Sequence, residues 1–122
     1  MPPLLCPQAV ADPLRRGAAA LLCVISLTAS AAPDGRALFA DPRKGNCNAC
    51  HKVPNDSGIK AESTIGPALE NMRQRIPDRQ RLIATIADAT RTNPNTIMPP
   101  YGRHRILSDA EIDAVAQYVE GL

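Results

Sequence analysis

The sequence predicts a small all-α domain, and three observations support this fold class. The chain has 122 residues, which is enough for one domain and too few for several. Apolar residues recur at helical spacing, whereas no period-2 run or hairpin turn predicts a β-strand. Aromatic residues make up only 2% of the chain and Trp is absent, so few large side chains are available to anchor a core. We therefore expect short helices, with something besides their own side chains filling part of the interior.

The composition excludes several other classes of protein. With 44% apolar and 21% charged residues, the chain is neither a coiled coil nor a charge-rich disordered segment. A formal net charge of +2 is too small to predict nucleic-acid binding. A local arginine cluster could face an acidic partner, although such a run is usually a solvated helix face; it comprises Arg73, Arg75, Arg79 and Arg81.

Residues 1–32 have the features of a cleavable signal peptide. Arg15 and Arg16 precede an uncharged apolar run over residues 17–27, and small residues follow it. This run is too short for a membrane-spanning helix, which needs about 20 apolar residues, although a retained N-terminal anchor is the alternative. We expect export and cleavage, which would leave a domain of residues 33–122 with no membrane attachment.

Two short helices are predicted in the first part of this domain. The first covers Gly35–Ala40 and ends at Asp41, because a residue that precedes proline disfavours the helical conformation. The second begins at Pro67, since proline is favoured at the first helical position, and it extends to Arg73.

Two further helices have clearer boundaries. Asp78 is expected to cap the third helix, and the last helix is expected to begin with a capping box between Ser108 and Glu111. Each helix carries one apolar stripe, formed by Leu82, Ile83, Ile86 and Ala87 in the third and by Ile112, Val115, Ala116 and Val119 in the last. The stripes predict which face of each helix packs on the core.

Long polar or proline-rich segments separate these helices, over residues 52–65 and 92–106. Stretches of that length without secondary structure are usually functional or disordered in a compact domain. We expect both segments to wrap a large apolar ligand instead of packing on each other.

The chemistry of the chain is concentrated in the sequence Cys47-Asn48-Ala49-Cys50-His51. This C-x-x-C-H pattern is the motif of covalent haem attachment. Two cysteines on one helical turn face the same way and can add to the two vinyl groups on one edge of a porphyrin. The adjacent His51 then places its imidazole under the iron. We therefore predict one covalently bound haem c, with thioethers at Cys47 and Cys50 and with His51 as an iron ligand.

Three other interpretations of the motif are weaker. A thiol–disulfide oxidoreductase also uses C-x-x-C, but beside a βαβ pattern, which this sequence lacks. A zinc site needs four well-placed ligands, and neighbouring Cys50 and His51 would crowd one tetrahedron. A chance match in an exported protein is the remaining alternative.

The second axial position of the iron has three candidate ligands, Met98, His104 and Met72. Met98 is favoured because Pro99 and Pro100 stiffen the backbone directly after it, which limits the entropy lost on ligation. His104 stands between two arginines and is expected to be exposed, whereas Met72 is expected to pack in the core. Ligation by His and Met raises the reduction potential and fills both axial positions, which favours electron transfer over activation of small molecules.

The sequence Gly66-Pro67-Ala68-Leu69 resembles the segment that covers the proximal side of the haem in class I cytochromes c. The resemblance implies that the carbonyl of Pro67 accepts a hydrogen bond from Nδ1 of His51 and so fixes the imidazole plane. It also implies that the first and last helices cross, with a small residue at the contact. The matching residues there are Gly35, Phe39, Val115 and Tyr118.

A closer resemblance covers the chain from Lys44 to Val119. It rests on KGNCNACH at residues 44–51, GPALENM at 66–72, PNTIMPPYGRHRIL at 94–107, and Asp109-Ala110-Glu111-Ile112. These stretches are similar to the SoxX family, the mono-haem cytochrome subunits of SoxAX complexes in bacterial thiosulfate oxidation. Tyr101 stands where that pattern has Phe, and either ring suits the edge of a haem.

The SoxX resemblance implies a location and a set of partners. It predicts a periplasmic protein in a heterodimer with the cytochrome SoxA, whose haem cysteine supplies the catalytic thiolate. The complex would be an L-cysteine S-thiosulfotransferase that oxidatively couples thiosulfate to a cysteine of the carrier SoxYZ. This chain would take electrons from that reaction and pass them to a downstream acceptor.

Two other functions stay open at this point, a free c-type electron shuttle and a haem enzyme such as a peroxidase. Two filled axial positions argue against the enzyme. A free shuttle often carries a ring of charges around its haem edge, whereas a stable complex is expected to show an apolar patch there. The surface around the haem edge therefore distinguishes a subunit from a shuttle.

Overall fold

A computed structural model describes residues 31–122, so all but the last two residues of the predicted signal peptide lie outside the described part of the chain. Four α-helices follow in order: α1 (Gly35–Ala40), α2 (Met72–Arg75), α3 (Arg79–Ala87) and α4 (Asp109–Glu120). Two 3-10 turns, Cys47–Ala49 and Ala89–Arg91, accompany them, and residues 31–122 contain no strand. The predicted all-α fold is confirmed. None of the helices in this range combines the length and apolar character needed to cross a bilayer.

Helix α1 packs directly against α4, as the class I resemblance implies. The Asp34 side chain accepts hydrogen bonds from two backbone amides of the first turn, and the helix ends at Ala40 as predicted. A Cβ on Gly35 would lie only 1.9 Å from the carbonyl oxygen of Ala114, so the crossing requires a glycine. Phe39 and Tyr118 then meet edge to face, with ring centroids 5.3 Å apart.

Helices α3 and α4 begin where the sequence predicts. Asp78 accepts from the backbone amide of Gln80, and both hydrogen bonds of the Ser108–Glu111 capping box are present. The residues of the two stripes with the deepest burial are Leu82 and Ile86 in α3 and Ile112, Val115, Ala116 and Val119 in α4. The two helices form the main wall of the core.

The helix predicted to begin at Pro67 is wrong in its position, because α2 begins only at Met72. The amide of Gly66 donates to the carbonyl of Cys50, and the amide of Leu69 donates to that of Lys52, each at 2.8 Å. These long-range bonds hold the chain after Pro67 alongside the haem motif, outside any helix. Asn71, in the left-handed region with φ 53°, then turns the chain into α2.

The segment over residues 52–65 is fastened to the helices by Asp56. Its carboxylate accepts from the Arg36 guanidinium at 2.6 and 2.9 Å and from the Tyr118 hydroxyl at 2.8 Å. Val53 and Ile59 of the same segment are buried in the core. The segment therefore packs on the protein itself over most of its length, where the sequence predicts a ligand wrap.

Stability is expected to depend on pH through Asp56. The Arg36 guanidinium and the Tyr118 hydroxyl hold the pKa of Asp56 well below its usual range. The folded state therefore favours the ionised carboxylate, so the stabilisation is complete above the unfolded pKa of about 3.9 and is lost as the pH falls below it. Asp56→Asn is expected to lower the urea midpoint between pH 5 and 7, with the difference from the parent shrinking at lower pH.

The matched control for this experiment is Glu62→Gln, on the same segment. Glu62 is exposed and forms no ion pair with any residue between 31 and 122. Its substitution is expected to leave the urea midpoint unchanged across the same pH range. A constant difference between the parent and Asp56→Asn down to pH 3 would show that the carboxylate does not act through its charge.

Candidate functional site

The haem motif begins with a 3-10 turn over Cys47–Ala49, and Cys50 and His51 follow it directly. Asn46 enters it in the left-handed region with φ 48°. The amides of Cys50 and His51 both donate to the carbonyl of Cys47, at 3.1 and 2.9 Å. This turn directs both cysteines and the histidine at one cavity, which all three line. The local geometry matches what two thioethers on one porphyrin edge require.

A slot runs from this motif into the core. Its outer cavity has a volume of about 380 Å³ and opens at the cysteines, and an inner cavity of about 140 Å³ lies beneath it. The residues that line both cavities are Cys47, His51, Pro67, Met98 and Tyr101. Most other side chains around the inner cavity are apolar, as in typical sites for small molecules and cofactors. The slot is the interior space that the scarcity of aromatic residues predicts.

A hydrogen bond to the segment around Pro67 holds the imidazole of His51 in place. Its Nδ1 lies 2.8 Å from the carbonyl oxygen of Pro67, the contact that the class I resemblance implies. Since a carbonyl only accepts, Nδ1 carries the proton and Nε2 keeps its lone pair for a metal ion. A Cβ on Gly66 would lie within 2.5 to 2.9 Å of three ring atoms, so glycine is required for the ring to fit. Sequence reasoning included Gly66 in the motif but missed this contact.

Met98, which belongs to the segment over residues 92–106, lies in the same slot. It is half-buried, it lines both cavities, and its amide donates to Thr96 Oγ1 at 3.1 Å. The loop that carries Met98 is also bonded to the protein further along the chain, where the amide of Gly102 donates to the carbonyl of Ala87 at 2.9 Å. The residues of segment 92–106 that line the slot are Thr96, Ile97, Met98, Pro99, Tyr101 and Ile106, whereas segment 52–65 contributes only Ile65.

The other two candidate ligands occupy different places. Met72 is 3% exposed within the hydrophobic core and lines only the inner cavity, whereas His104 is exposed and lines neither cavity. The structure thus brings His51 and Met98 to one slot, with Met72 beneath and His104 outside. The assignment of His51 and Met98 as axial ligands stays a prediction.

Tyr101 joins the loop of Met98 to the haem motif. Its ring is buried, and its hydroxyl donates to the carbonyl of Gly45 at 2.7 Å. Burial raises the pKa of Tyr101 far above its usual range, so the phenol keeps the proton that it donates. The bond joins the two chain segments that carry the cysteines and Met98.

The geometry weakens both alternative chemistries. Burial raises the pKa of the Cys47 thiol to about 11, whereas the nucleophilic thiol of an oxidoreductase has a lowered pKa. Residues 31–122 also lack the strands of a βαβ unit. Within this described range, no group of three or more His, Cys, Asp or Glu side chains is arranged to hold a metal ion. Neither a redox dithiol nor a zinc centre is favoured.

The residues present fit a covalently attached haem. Cys47 and Cys50 are free thiols on one turn at the mouth of the slot. His51 presents an unprotonated Nε2, and Met98 offers a thioether in the same largely apolar space. When bound, haem supplies an iron that exchanges one electron between its ferric and ferrous states. These residues would supply the attachment and the ligands.

The arginine cluster does not form one docking face. Arg79 pairs with Asp113 at 2.8 Å and also with Glu120, so it ties α3 to α4. Arg75 donates to the backbone carbonyl of Ala68 at 2.6 Å. Two of the four arginines therefore have partners inside the protein.

A family model described as cytochrome c oxidase, cbb3-type, subunit III matches residues 30–119, which is most of the chain. The match spans the haem motif, the loop of Met98 and most of α4. No curated protein matches the chain.

Proposed function

The chain belongs to the cytochrome c family described as cytochrome c oxidase, cbb3-type, subunit III, and from that premise and its likeness to SoxX we propose that it is the electron-accepting subunit of a SoxAX complex. Family membership makes it a c-type cytochrome domain that carries haem c and transfers electrons. The proposal adds one haem per chain, a periplasmic location, a SoxA partner and thiosulfate as the source of electrons.

The surface around the opening of the slot supports the proposal that the chain has a fixed partner. Ile65 and Ile97 are the exposed large hydrophobic residues of the described chain, with 63% and 78% of their surfaces accessible. Both line the outer cavity, as do the two cysteines. An apolar patch at this position supports a partner that covers the edge of the haem, whereas a free shuttle favours a charged ring.

The proposed reaction constrains what this chain does. Coupling thiosulfate to a carrier thiol forms one S–S bond, releases the thiol proton and yields two electrons. The chain would take up these electrons one at a time. Cys47 and Cys50 would attach the haem covalently, and His51, oriented by the carbonyl of Pro67, and Met98 would hold its iron. With both residues as ligands, thiosulfate would react on the partner and not on this chain.

Thiosulfate-dependent reduction tests the proposed function. The chain is co-expressed with its SoxA partner in a host competent in cytochrome maturation, and its haem spectrum is followed after thiosulfate and the SoxYZ carrier are added. We expect the haem to be reduced only when thiosulfate, partner and carrier are all present. A haem that stays oxidised under these conditions, yet is reduced by an unrelated donor such as ascorbate, would exclude the Sox role and leave a general electron carrier.

Ile97→Asp is expected to weaken binding to the SoxA partner about 30-fold, because a charge at the centre of a buried apolar contact costs about 2 kcal/mol. The affinity is measured by titrating the partner against the variant holoprotein. Asn95→Asp is the matched control, since Asn95 is exposed on the same loop and does not line the slot. Equal losses in both variants would indicate a general charge effect, and no loss in either would favour the free shuttle.

A further inference from the structure

Tyr101 attaches the loop of Met98 to the haem motif through one buried side chain. The residue is 6% exposed, and its hydroxyl donates to the carbonyl of Gly45 at 2.7 Å. Gly45 stands two residues before Cys47, and Tyr101 stands three residues after Met98. The hydrogen bond therefore links the stretch that would carry a thioether to the stretch that would carry the second iron ligand.

The carbonyl that accepts this hydrogen bond is held in place by α1. Gly45 is buried, and its amide donates to the carbonyl of Leu38 at 3.1 Å. A Cβ on Gly45 would lie 2.5 Å from the same carbonyl oxygen, so the backbone here lies directly against the helix. The hydroxyl of Tyr101 is thus bonded to a part of the protein that has little room to move.

The hydrogen bonds that precede Met98 are local to its loop. The amide of Met98 donates to Thr96 Oγ1, and the amide of Thr96 donates to the carbonyl of Asn93. The two prolines that follow Met98 have no N–H to donate, but their fixed φ angles make this stretch stiff. Beyond them the loop is attached at neighbouring residues, by the amide of Gly102 to α3 and by the hydroxyl of Tyr101 to the haem motif. Because the stretch between is stiff, these attachments set the position of Met98.

We propose that Tyr101 is a positioning residue, whose hydroxyl bond to Gly45 keeps the thioether of Met98 in the slot against competing ligands. The inference rests on the haem and on the Met98 ligation of the proposed function, but not on thiosulfate or on a SoxA partner. A foreign ligand reaches the iron only when the loop moves Met98 away. Its apparent affinity is therefore proportional to the fraction of molecules in which the loop is open. A phenylalanine, which the SoxX pattern has at this position, keeps the ring but cannot form the bond.

Imidazole binding to the purified ferric holoprotein tests this role. Imidazole competes with Met98, and its binding is followed by the loss of the methionine-to-iron charge-transfer band. Tyr101→Phe is expected to raise the apparent affinity for imidazole about tenfold, which corresponds to about 1.4 kcal/mol and is typical of a lost buried hydrogen bond. In a Met98→Ala background, the same substitution is expected to leave the imidazole affinity unchanged, because no thioether remains to be displaced.

Tyr118→Phe is the matched control, because it also removes one hydroxyl that donates a hydrogen bond. Tyr118 donates to Asp56 at 2.8 Å and lines neither cavity of the slot, so this variant is expected to lower the urea midpoint and to keep the imidazole affinity of the parent. If Tyr101→Phe behaves in the same way, or raises the affinity equally in the Met98→Ala background, Tyr101 only supports the core and the proposal is wrong. Absence of the methionine band in the parent would overturn the ligand assignment and this proposal with it, whereas a failed reduction by thiosulfate would affect neither.

Discussion

Replacing Met98 with alanine is expected to abolish the methionine-to-iron charge-transfer band of the oxidised protein. The thioether of Met98 lies in the same slot as His51, and the residue is held by its own amide and by the two prolines that follow. Loss of the thioether leaves the position to water or a stronger ligand, which stabilises ferric iron. The potential is expected to fall by on the order of 0.2 V, within the roughly 0.8 V range that axial ligands control.

Absorption spectra and potentiometric titration of the holoprotein measure this effect, and the two other candidates serve as controls. Met72→Leu keeps the volume of a buried side chain and His104→Ala removes an exposed one, so both are expected to keep the band and the potential. Loss of the band in Met72→Leu with its retention in Met98→Ala would reverse the ligand assignment. Absence of the band in the parent as well would show that no methionine binds the iron.

The helices that the sequence predicts correctly are those whose capping residues and apolar stripes lie close together along the chain. The caps at Asp34, Asp78 and Ser108 and the apolar stripes of α3 and α4 are contained in short stretches of sequence, and the structure has these helices where they are predicted. The position of α2 depends on bonds from Gly66 and Leu69 to residues that precede them by many positions. No local pattern encodes such pairing, so the local preference of Pro67 for a helix start predicts the wrong position.

Part of the candidate site can likewise be predicted from the sequence, and part depends on tertiary packing. Cys47, Cys50 and His51 act through their spacing, which is visible in the sequence. The approach of Met98 to the slot depends on a backbone bond between Gly102 and Ala87, at the end of another helix. The bond between Tyr101 and Gly45, and the contact of Gly66 with the imidazole, likewise depend on how distant segments pack. Sequence therefore identifies the atoms that react, and the tertiary structure identifies those that position them.

Replacing Gly66 with alanine is expected to change how His51 binds the iron, although Gly66 itself is not a ligand. The new Cβ would lie 2.5 Å from Cε1, 2.7 Å from Nδ1 and 2.9 Å from Nε2 of His51. The ring cannot move away freely, because Nδ1 is bonded to the carbonyl of Pro67, and in the holoprotein a thioether at the neighbouring Cys50 would restrict it further. The amide of Gly66 is bonded in turn to the carbonyl of Cys50, so the backbone cannot retreat either.

The clash must therefore be relieved by breaking the His51–Pro67 hydrogen bond or by tilting the imidazole on the iron. We expect Gly66→Ala to lower the free energy of unfolding by about 1–3 kcal/mol, as overpacking typically does, and to alter the electron paramagnetic resonance spectrum of the ferric haem. Gly121→Ala is the matched control, because the nearest atom to its Cβ is 3.3 Å away and its φ of −77° suits alanine. An unaltered spectrum in Gly66→Ala, with stability equal to the control, would mean that the ring of His51 does not pack on this residue in the holoprotein. An altered spectrum with covalent haem retained would show that the segment before Pro67 sets the orientation of the imidazole independently of attachment.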